Sequence, residues 1–461
     1  MSKFFFGQKN ILLSISIIYI FFLKFDNISN GFWYDEWHTF YYSNPNFLEN
    51  GNLITLIKNS VAPPVYFILN SFIYKIFKYE PEIGRAISIL FDILSFITLY
   101  FILKNNFSKK IRYYVLLGYL FNYSLIVYSL ELRFYSFNTF TLLINIFFFF
   151  KIINNFSYKL LIYYLLISLF CLSSNYFLFP IICFQFFYLL IWKKNFEFLL
   201  LILSFFLIFY LINQIHFLEV KNLSSKDIWG TFTYKFFISY YFNIFFGYKI
   251  LGFILLSSIL IIIFINFKKI IFNDKKLFII ICFIISTYIF FILYSFIFTP
   301  VLRPRYFLHI VPLIILVFFL LLDYLSVRKQ FFIIFIFFLI SFIRIYFFSL
   351  PFEKPDTNIM INMIKEKKAP IILDFKSEKY FFNHLINSHY FKKNKIKSFT
   401  HDQLNLINPG SFIEICLNNP SFKSLIKKDD PKCFRNNYDT NYIIIDTLKT
   451  RDYIVKVYSK I

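Results

Sequence analysis

The chain has 461 residues, of which 59% are hydrophobic and only 16% charged, with a formal net charge of +23. Soluble domains carry about 25% charged residues, and no soluble interior of this length hides so much apolar surface, which leaves a polytopic membrane protein. The basic excess is spread in short clusters between apolar runs, the pattern of cytoplasmic loops, and not gathered into a domain that would grip nucleic acid.

The first apolar run, residues 10–25, follows a basic start at Lys3 and Lys9 with no small-residue cleavage site after it, so it is expected to stay as the first span. Beyond it comes Gly31-Phe32-Trp33-Tyr34-Asp35-Glu36-Trp37-His38. Two adjacent carboxylates at the mouth of a span are costly to desolvate, and the flanking tryptophans suit a membrane interface. Pro64 to Phe77 is apolar but short, and it carries Asn70, Lys75 and Lys78. It is expected to be an amphipathic helix lying on the membrane surface, within a first outer loop over 26–84.

Further runs long enough to cross roughly 30 Å of hydrocarbon fall at 85–103, 111–128, 136–152, 159–174, 176–192, 197–215, 249–267, 277–298, 306–323 and 331–348. With the first, they make about eleven helices. Alternation from a cytoplasmic N-terminus puts Lys104, Lys109, Lys110 and Arg112 inside, then Lys151 and Lys159, Lys193 and Lys194, Lys268 to Lys276, and Arg328 with Lys329. Every clear basic cluster then lies on one side, as the positive-inside rule requires. The 129–135 turn, the 216–248 loop, the 299–305 turn and the C-terminal region face out.

From Glu353 onward the chain turns to Lys, Asn, Asp and Glu with short apolar stretches. Ile371-Ile372-Leu373 and Tyr442-Ile443-Ile444-Ile445 have the pattern of buried strands, so a small α/β domain over 351–461 is expected to follow a membrane domain over 1–350. Cys171, Cys183 and Cys282 lie in apolar runs as small hydrophobes. Cys416 and Cys433 lie in the polar C-terminal region, and sequence alone does not decide whether they pair.

Four motifs converge on the outer face: Tyr34-Asp35-Glu36, Ala62-Pro63-Pro64-Val65-Tyr66, Tyr128-Ser129-Leu130-Glu131-Leu132-Arg133-Phe134-Tyr135, and Arg303-Pro304-Arg305-Tyr306. A carboxylate there can take a proton from an attacking hydroxyl or hold a divalent cation. Arginines can clamp a lipid phosphate and stabilise its charge as it leaves. Together they suit glycosyl transfer from a lipid-phosphate sugar. Plainer readings stand beside this one. Arg303 and Arg305 can snorkel to headgroups, Glu131 and Arg133 can cap two spans, and Pro63-Pro64 can do no more than start a helix. Asp92, inside the second span, must pair or face a wet cavity.

The motifs resemble those of the integral-membrane glycosyltransferases of the GT-C fold. Within these, the sequence is similar to the bacterial relatives of protein O-mannosyltransferases and of the aminoarabinose transferase of lipid A. Asp35-Glu36 matches the acidic pair of the first outer loop. Ala62-Pro63-Pro64-Val65-Tyr66 matches a His-Pro-Pro-Leu-Tyr-like motif, with Ala62 departing from it. Tyr128 to Arg133 matches Tyr-Ser-Gln-Glu-Ala-Arg, with Leu130 for Gln, and Arg305-Tyr306 matches an Arg-Tyr motif. The resemblance implies a membrane all-α fold and a polyprenyl-phosphate sugar donor. The acceptor would be a glycan, lipid or protein on the extracytoplasmic face of a bacterial inner membrane, and transfer would invert the anomeric carbon. It further implies Asp35 as general base, helped by Glu36, and Arg303 and Arg305 on the donor phosphate. Pro63, Pro64, Tyr66, Glu131, Arg133 and Tyr306 would line the cavity, and any divalent cation would sit on Asp35 and Glu36. The competing functions are a lipid-linked glycan transporter, which needs charges deep in several spans and related halves, and a cell-envelope assembly protein.

Overall fold

The computed structural model describes residues 2–29, 32, 34–46, 57, 63–193, 196–223, 249–297, 304–347, 362–364, 366–367, 369–372, 398–399, 409–417, 442–449 and 453–461. Contacts divide the chain into two compact units. One comprises Met1–Ile28, Asn46–Asn70 and Arg85–Ser349; the other comprises Ser29–Pro45, Ser71–Gly84 and Leu350–Ile461.

The helices in chain order begin with α1 (Ser2–Asp26), α2 (Tyr34–Tyr42), α3 (Val65–Ile76), α4 (Pro81–Asn106) and α5 (Lys109–Leu120). They continue through α6 (Tyr123–Ser129), α7 (Tyr135–Asn154), α8 (Tyr158–Ser174), α9 (Phe179–Lys193) and α10 (Phe196–Leu223). The last are α11 (Lys249–Ile265), α12 (Phe267–Asn273), α13 (Lys275–Ile297), α14 (Val311–Leu322) and α15 (Val327–Phe347). Among the described residues, five helical stretches are long and apolar enough to cross a membrane: Pro81–Asn106, Tyr135–Asn154, Lys275–Ile297, Arg305–Leu322 and Val327–Tyr346. Shorter apolar helices fall at Tyr158–Ser174, Tyr176–Trp192, Leu199–Ile215 and Gly252–Ile265. Large apolar side chains stand outward on these helices, Phe264, Phe331 and Phe22 among them. Such a surface is stable only against lipid, and the chain is a multi-pass membrane protein.

Three expected runs have a different local structure. Residues 111–128 are two helices, because Asn122 breaks the run: its side-chain oxygen accepts the Leu125 N–H at 3.0 Å and starts α6 afresh. The 306–323 run opens as a 3₁₀ turn, Pro304–Ile310, and becomes α-helical at Val311 with Pro312 in its first turn, where a missing N–H costs nothing. Between α8 and α9, Asn175 ends one helix and caps the 3₁₀ turn Tyr176–Leu178 by accepting the Phe177 N–H at 3.0 Å.

All twelve residues of α14 are buried, as expected of a helix that is hydrophobic all round. It packs on α5 at Gly118, where a Cβ would lie 2.7 Å from Phe319 and 2.9 Å from Ile315. Glycine is there for close approach. Phe318 and Phe319 of α14 also stack with Phe337 and Phe338 of α15.

The amphipathic helix expected after Pro64 is α3, and its buried face carries the polar groups. Tyr66, Phe67, Asn70, Ser71 and Tyr74 are buried, while Phe72 and Ile76 stand out. Asp92 pairs with Lys24. The Lys24 ammonium of α1 lies 2.5 Å from Asp92 Oδ2 on α4, and the Tyr119 hydroxyl of α5 donates to Oδ1 at 2.7 Å. Both members of the pair are at most 3% exposed. This deep charge is a clasp between three helices.

The ends of the bundle sort as the charge pattern demands. Lys110 donates to Asp323 at 3.0 Å and to Gln330 at 2.6 Å. Asn154 donates to Asn106, Lys269 lies over the Tyr324 ring, and Phe156 meets Trp192. The loops assigned to the inside therefore touch one another.

In the second unit, the described strands form one sheet in the order β2-β1-β3-β5-β4. They are β1 (Ile371–Ile372), β2 (Ser398–Phe399), β3 (Ser411–Leu417), β4 (Tyr442–Lys449) and β5 (Tyr453–Lys460). β1 is parallel to β2 and β3, and β5 runs antiparallel to β3 and β4. The core strands are β3 and β5. Phe412 stacks on its partner Tyr458 at 4.6 Å, and the Tyr458 hydroxyl donates to buried Glu414 at 2.9 Å. Burial and the Glu414 carboxylate push that hydroxyl well above its usual range. The expected buried strand at 442–445 is instead an edge: Ile443, Ile444 and Ile445 are each about half exposed. An apolar run marks a strand without saying on which side it is paired. Cys433 lies outside the described residues, and so does the side chain of Cys416.

Candidate active site

At the end of the bundle opposite the basic loops, three of the four motifs fold into one neighbourhood. Tyr128 stands in the last turn of α6, and the chain then bends through Leu130–Phe134 before α7 starts at Tyr135. Glu131 and Arg133 stand in this non-helical bend and both are buried. Burial is a poor fit to headgroup capping, because a capping charge keeps its tip in the wet interface. Arg133 lies over the rings of Phe134 at 4.9 Å and Tyr135 at 5.9 Å.

The proline motif joins the same place. Pro64 is buried, and its carbonyl accepts the Ile68 N–H at 3.0 Å, so the pair opens α3 as expected of proline at a helix start. Pro63 just before it is half-buried. The Tyr66 hydroxyl meets Ser88 Oγ at 3.2 Å, and Ser88 donates to the Arg133 carbonyl at 3.4 Å. The Tyr66 ring packs against Phe134 and Phe137. Tyr66 thus braces the bend that carries Glu131 and Arg133.

The 3₁₀ turn Pro304–Ile310 packs against α6 and α7. It brings Arg305 into electrostatic reach of the Tyr128 hydroxyl, which also feels Glu131 and Tyr135. Tyr128 and Tyr135 meet edge to face at 5.2 Å. Beside them runs a narrow recess lined by Phe134, Tyr135, Asn138, Asn175, Arg305 and His309, with Tyr306 and Phe177 also on its wall. Tyr306 is packed against Phe177 at 5.3 Å. Of the residues expected to line the cavity, Tyr306 lies on this wall, while Tyr66, Glu131 and Arg133 support the bend next to it. Arg303 lies outside the described residues.

The acidic pair belongs to the second unit. Asp35 and Glu36 occupy the first turn of α2, where the helix dipole favours negative charge. Asp35 is half-buried and its carbonyl accepts the Thr39 hydroxyl at 3.0 Å, while Glu36 is fully buried. Within that unit Phe40 fixes α2: it stacks on Tyr79 at 4.0 Å, meets Tyr74 at 5.6 Å, and its carbonyl accepts the Tyr79 hydroxyl at 2.8 Å. Burial pushes the Tyr79 hydroxyl well above its usual range, so it stays a donor.

Two solved structures match over nearly the whole length. ArnT from Cupriavidus metallidurans in the apo state aligns at a TM-score of 0.57 with 11% identity, covering 97% of each chain. The same protein bound to undecaprenyl phosphate aligns at 0.58 with 10% identity, covering 98% of each. The fold is that of ArnT. ArnT is an aminoarabinose transferase of the GT-C glycosyltransferase type. No family model and no curated protein matches the sequence.

Two of the recess residues carry no motif signal in the sequence. His309 stands four residues past Arg305 in an apolar run, and Asn138 stands one turn into α7. Both are buried. The turn at Asn175 also lies at this end of the bundle, because α8 and α9 form a hairpin whose tip reaches the recess. It falls at the boundary expected between the runs 159–174 and 176–192. Among the described residues no group of three His, Cys, Asp or Glu side chains is placed to hold a metal. Two carboxylates alone are a donor set for a hard cation that keeps most of its water.

Proposed function

We propose that this protein transfers a sugar from a polyprenyl-phosphate-linked donor to an acceptor at the extracytoplasmic face of a bacterial inner membrane. The observation that carries the reading is the gathering of Arg305, Tyr306, Glu131 and Arg133 at the end of the bundle away from the basic loops. An ArnT-like fold supports it, since one of those structures holds undecaprenyl phosphate.

In this mechanism the carrier's tail stays among the helices and its phosphate lies against Arg305, with Arg303 assisting. The guanidinium stabilises charge that grows on the phosphate oxygen as the glycosidic bond breaks. Asp35 takes the proton of the acceptor hydroxyl as that oxygen attacks the anomeric carbon from the opposite side, and the configuration inverts. Glu36 supports Asp35. A hard divalent cation held by the two carboxylates would supply further positive charge to the acceptor or the phosphate. The acceptor is a glycan, a lipid or a protein.

Arg305→Ala is expected to lower transfer of labelled sugar from a polyprenyl-phosphate donor by about 10²–10³-fold. Arg305→Lys should recover only part of this, because an ammonium keeps the charge without the fork. Wild-type turnover in Arg305→Ala membranes would overturn the assignment. A separate expectation concerns topology. A reporter fused after Ser349 should give an extracytoplasmic signal, and a cytoplasmic one would mean that the count of spans is wrong.

A further inference from the structure

The recess beside Arg305 holds two buried polar atoms that the fold leaves unused. Asn138 is 5% exposed and its Oδ1 has no hydrogen-bond partner; His309 is 2% exposed and its Nε2 has none. An unmade hydrogen bond on a buried group costs about 1–3 kcal/mol, so a ligand that brought two donors to this wall would gain from both. His309 Nε2 is unbonded, and the backbone of Tyr306 neighbours the ring. In the tautomer with the proton on Nδ1, Nε2 is a bare acceptor, like the amide oxygen of Asn138.

The recess therefore presents two acceptors beside a guanidinium. A ligand that meets both acceptors beside Arg305 carries an anionic oxygen for the guanidinium and O–H donors a few bonds away. A bare polyprenyl phosphate offers the anion and no such donors; a sugar on that phosphate offers both. We propose that Asn138 and His309 read the hydroxyl groups of the donor sugar while Arg305 holds its phosphate, so that this wall selects the loaded carrier over the spent one. The recess is narrow, so it admits hydroxyls at the sugar's edge while the ring stays at its mouth. This inference rests on the reading of Arg305 as a phosphate ligand.

The test compares binding of undecaprenyl phosphate with that of a panel of undecaprenyl-phosphate hexoses and pentoses to the purified full-length protein in detergent. Wild type should bind at least one loaded carrier about tenfold or more tighter than the bare one, which is the worth of one or two hydrogen bonds. Asn138→Leu and His309→Leu should each cut that preference several-fold, and the double variant should erase it, with the affinity for undecaprenyl phosphate unchanged. His309→Gln, which retains an amide acceptor near Nε2, should restore much of it and so covers the case in which the leucine variants fold poorly. Equal loss of both affinities in the variants, or a preference that survives undiminished in them, overturns the inference. A wild type that binds undecaprenyl phosphate without preferring any loaded carrier also overturns it, and leaves the proposed function standing. Failure to bind undecaprenyl phosphate at all would remove the proposed function and this inference together.

Discussion

Asp35→Asn is expected to lower sugar transfer by about 10²–10⁴-fold, the usual worth of a positioned general base. The amide has nearly the shape of the carboxylate but cannot accept the acceptor's proton. Asp35 sits half-buried in the first turn of α2 and lends its backbone carbonyl to Thr39, an interaction that the substitution leaves in place. Its neighbour Glu36, fully buried, is the more structural of the two. The variant should therefore insert, purify and unfold like wild type, and its loss should appear in kcat with little change in donor affinity. Raising the pH should not rescue it, because no base remains to deprotonate. The measurement is the initial rate of transfer in membranes matched for protein content. Turnover within a few-fold of wild type would remove Asp35 as the base and move the search for one to Glu131.

The second large effect concerns stability. Lys24 and Asp92 form a buried ion pair that also receives the Tyr119 hydroxyl. Removing one member of such a pair strands the other charge and costs about 3–5 kcal/mol, whereas replacing both by apolar residues of similar size is often neutral. Lys24→Met and Asp92→Leu are each expected to lower the unfolding midpoint in detergent sharply. The double variant should recover most of the loss, and Tyr119→Phe added to it should recover more, because the tyrosine no longer has Asp92 to donate to. Single effects that simply add in the double variant would show that the clasp is not coupled. The same cycle bears on function: a transporter's deep charge would be needed for turnover, while a clasp that only joins α1, α4 and α5 is dispensable once the charge is gone from both sides.

Much of this molecule is legible from its sequence. A long apolar run must become a helix in lipid, because no water is present there to satisfy backbone groups, and the described part of each expected run is mainly helical, with the breaks at Asn122 and Pro304–Ile310. Basic clusters marked which loops share an end, and Lys110 with Asp323, or Asn154 with Asn106, shows those loops in contact. The motifs around Glu131, Arg133, Arg305 and Tyr66 were visible as polar residues at the ends of greasy segments, where desolvation makes every charge conspicuous. Tertiary structure decided what hydropathy has no means to express. It gave Asp92 its partner 68 positions away in the chain, and it turned the run at 442–445 from a buried strand into an exposed edge. It also brought Asn138, Asn175 and His309, three residues from separate segments with no shared motif, onto one wall. Composition and periodicity report the energy of a segment against its solvent. Which polar atoms finish without a partner depends on how distant segments meet, and at the recess beside Arg305 only the packed helices settle that.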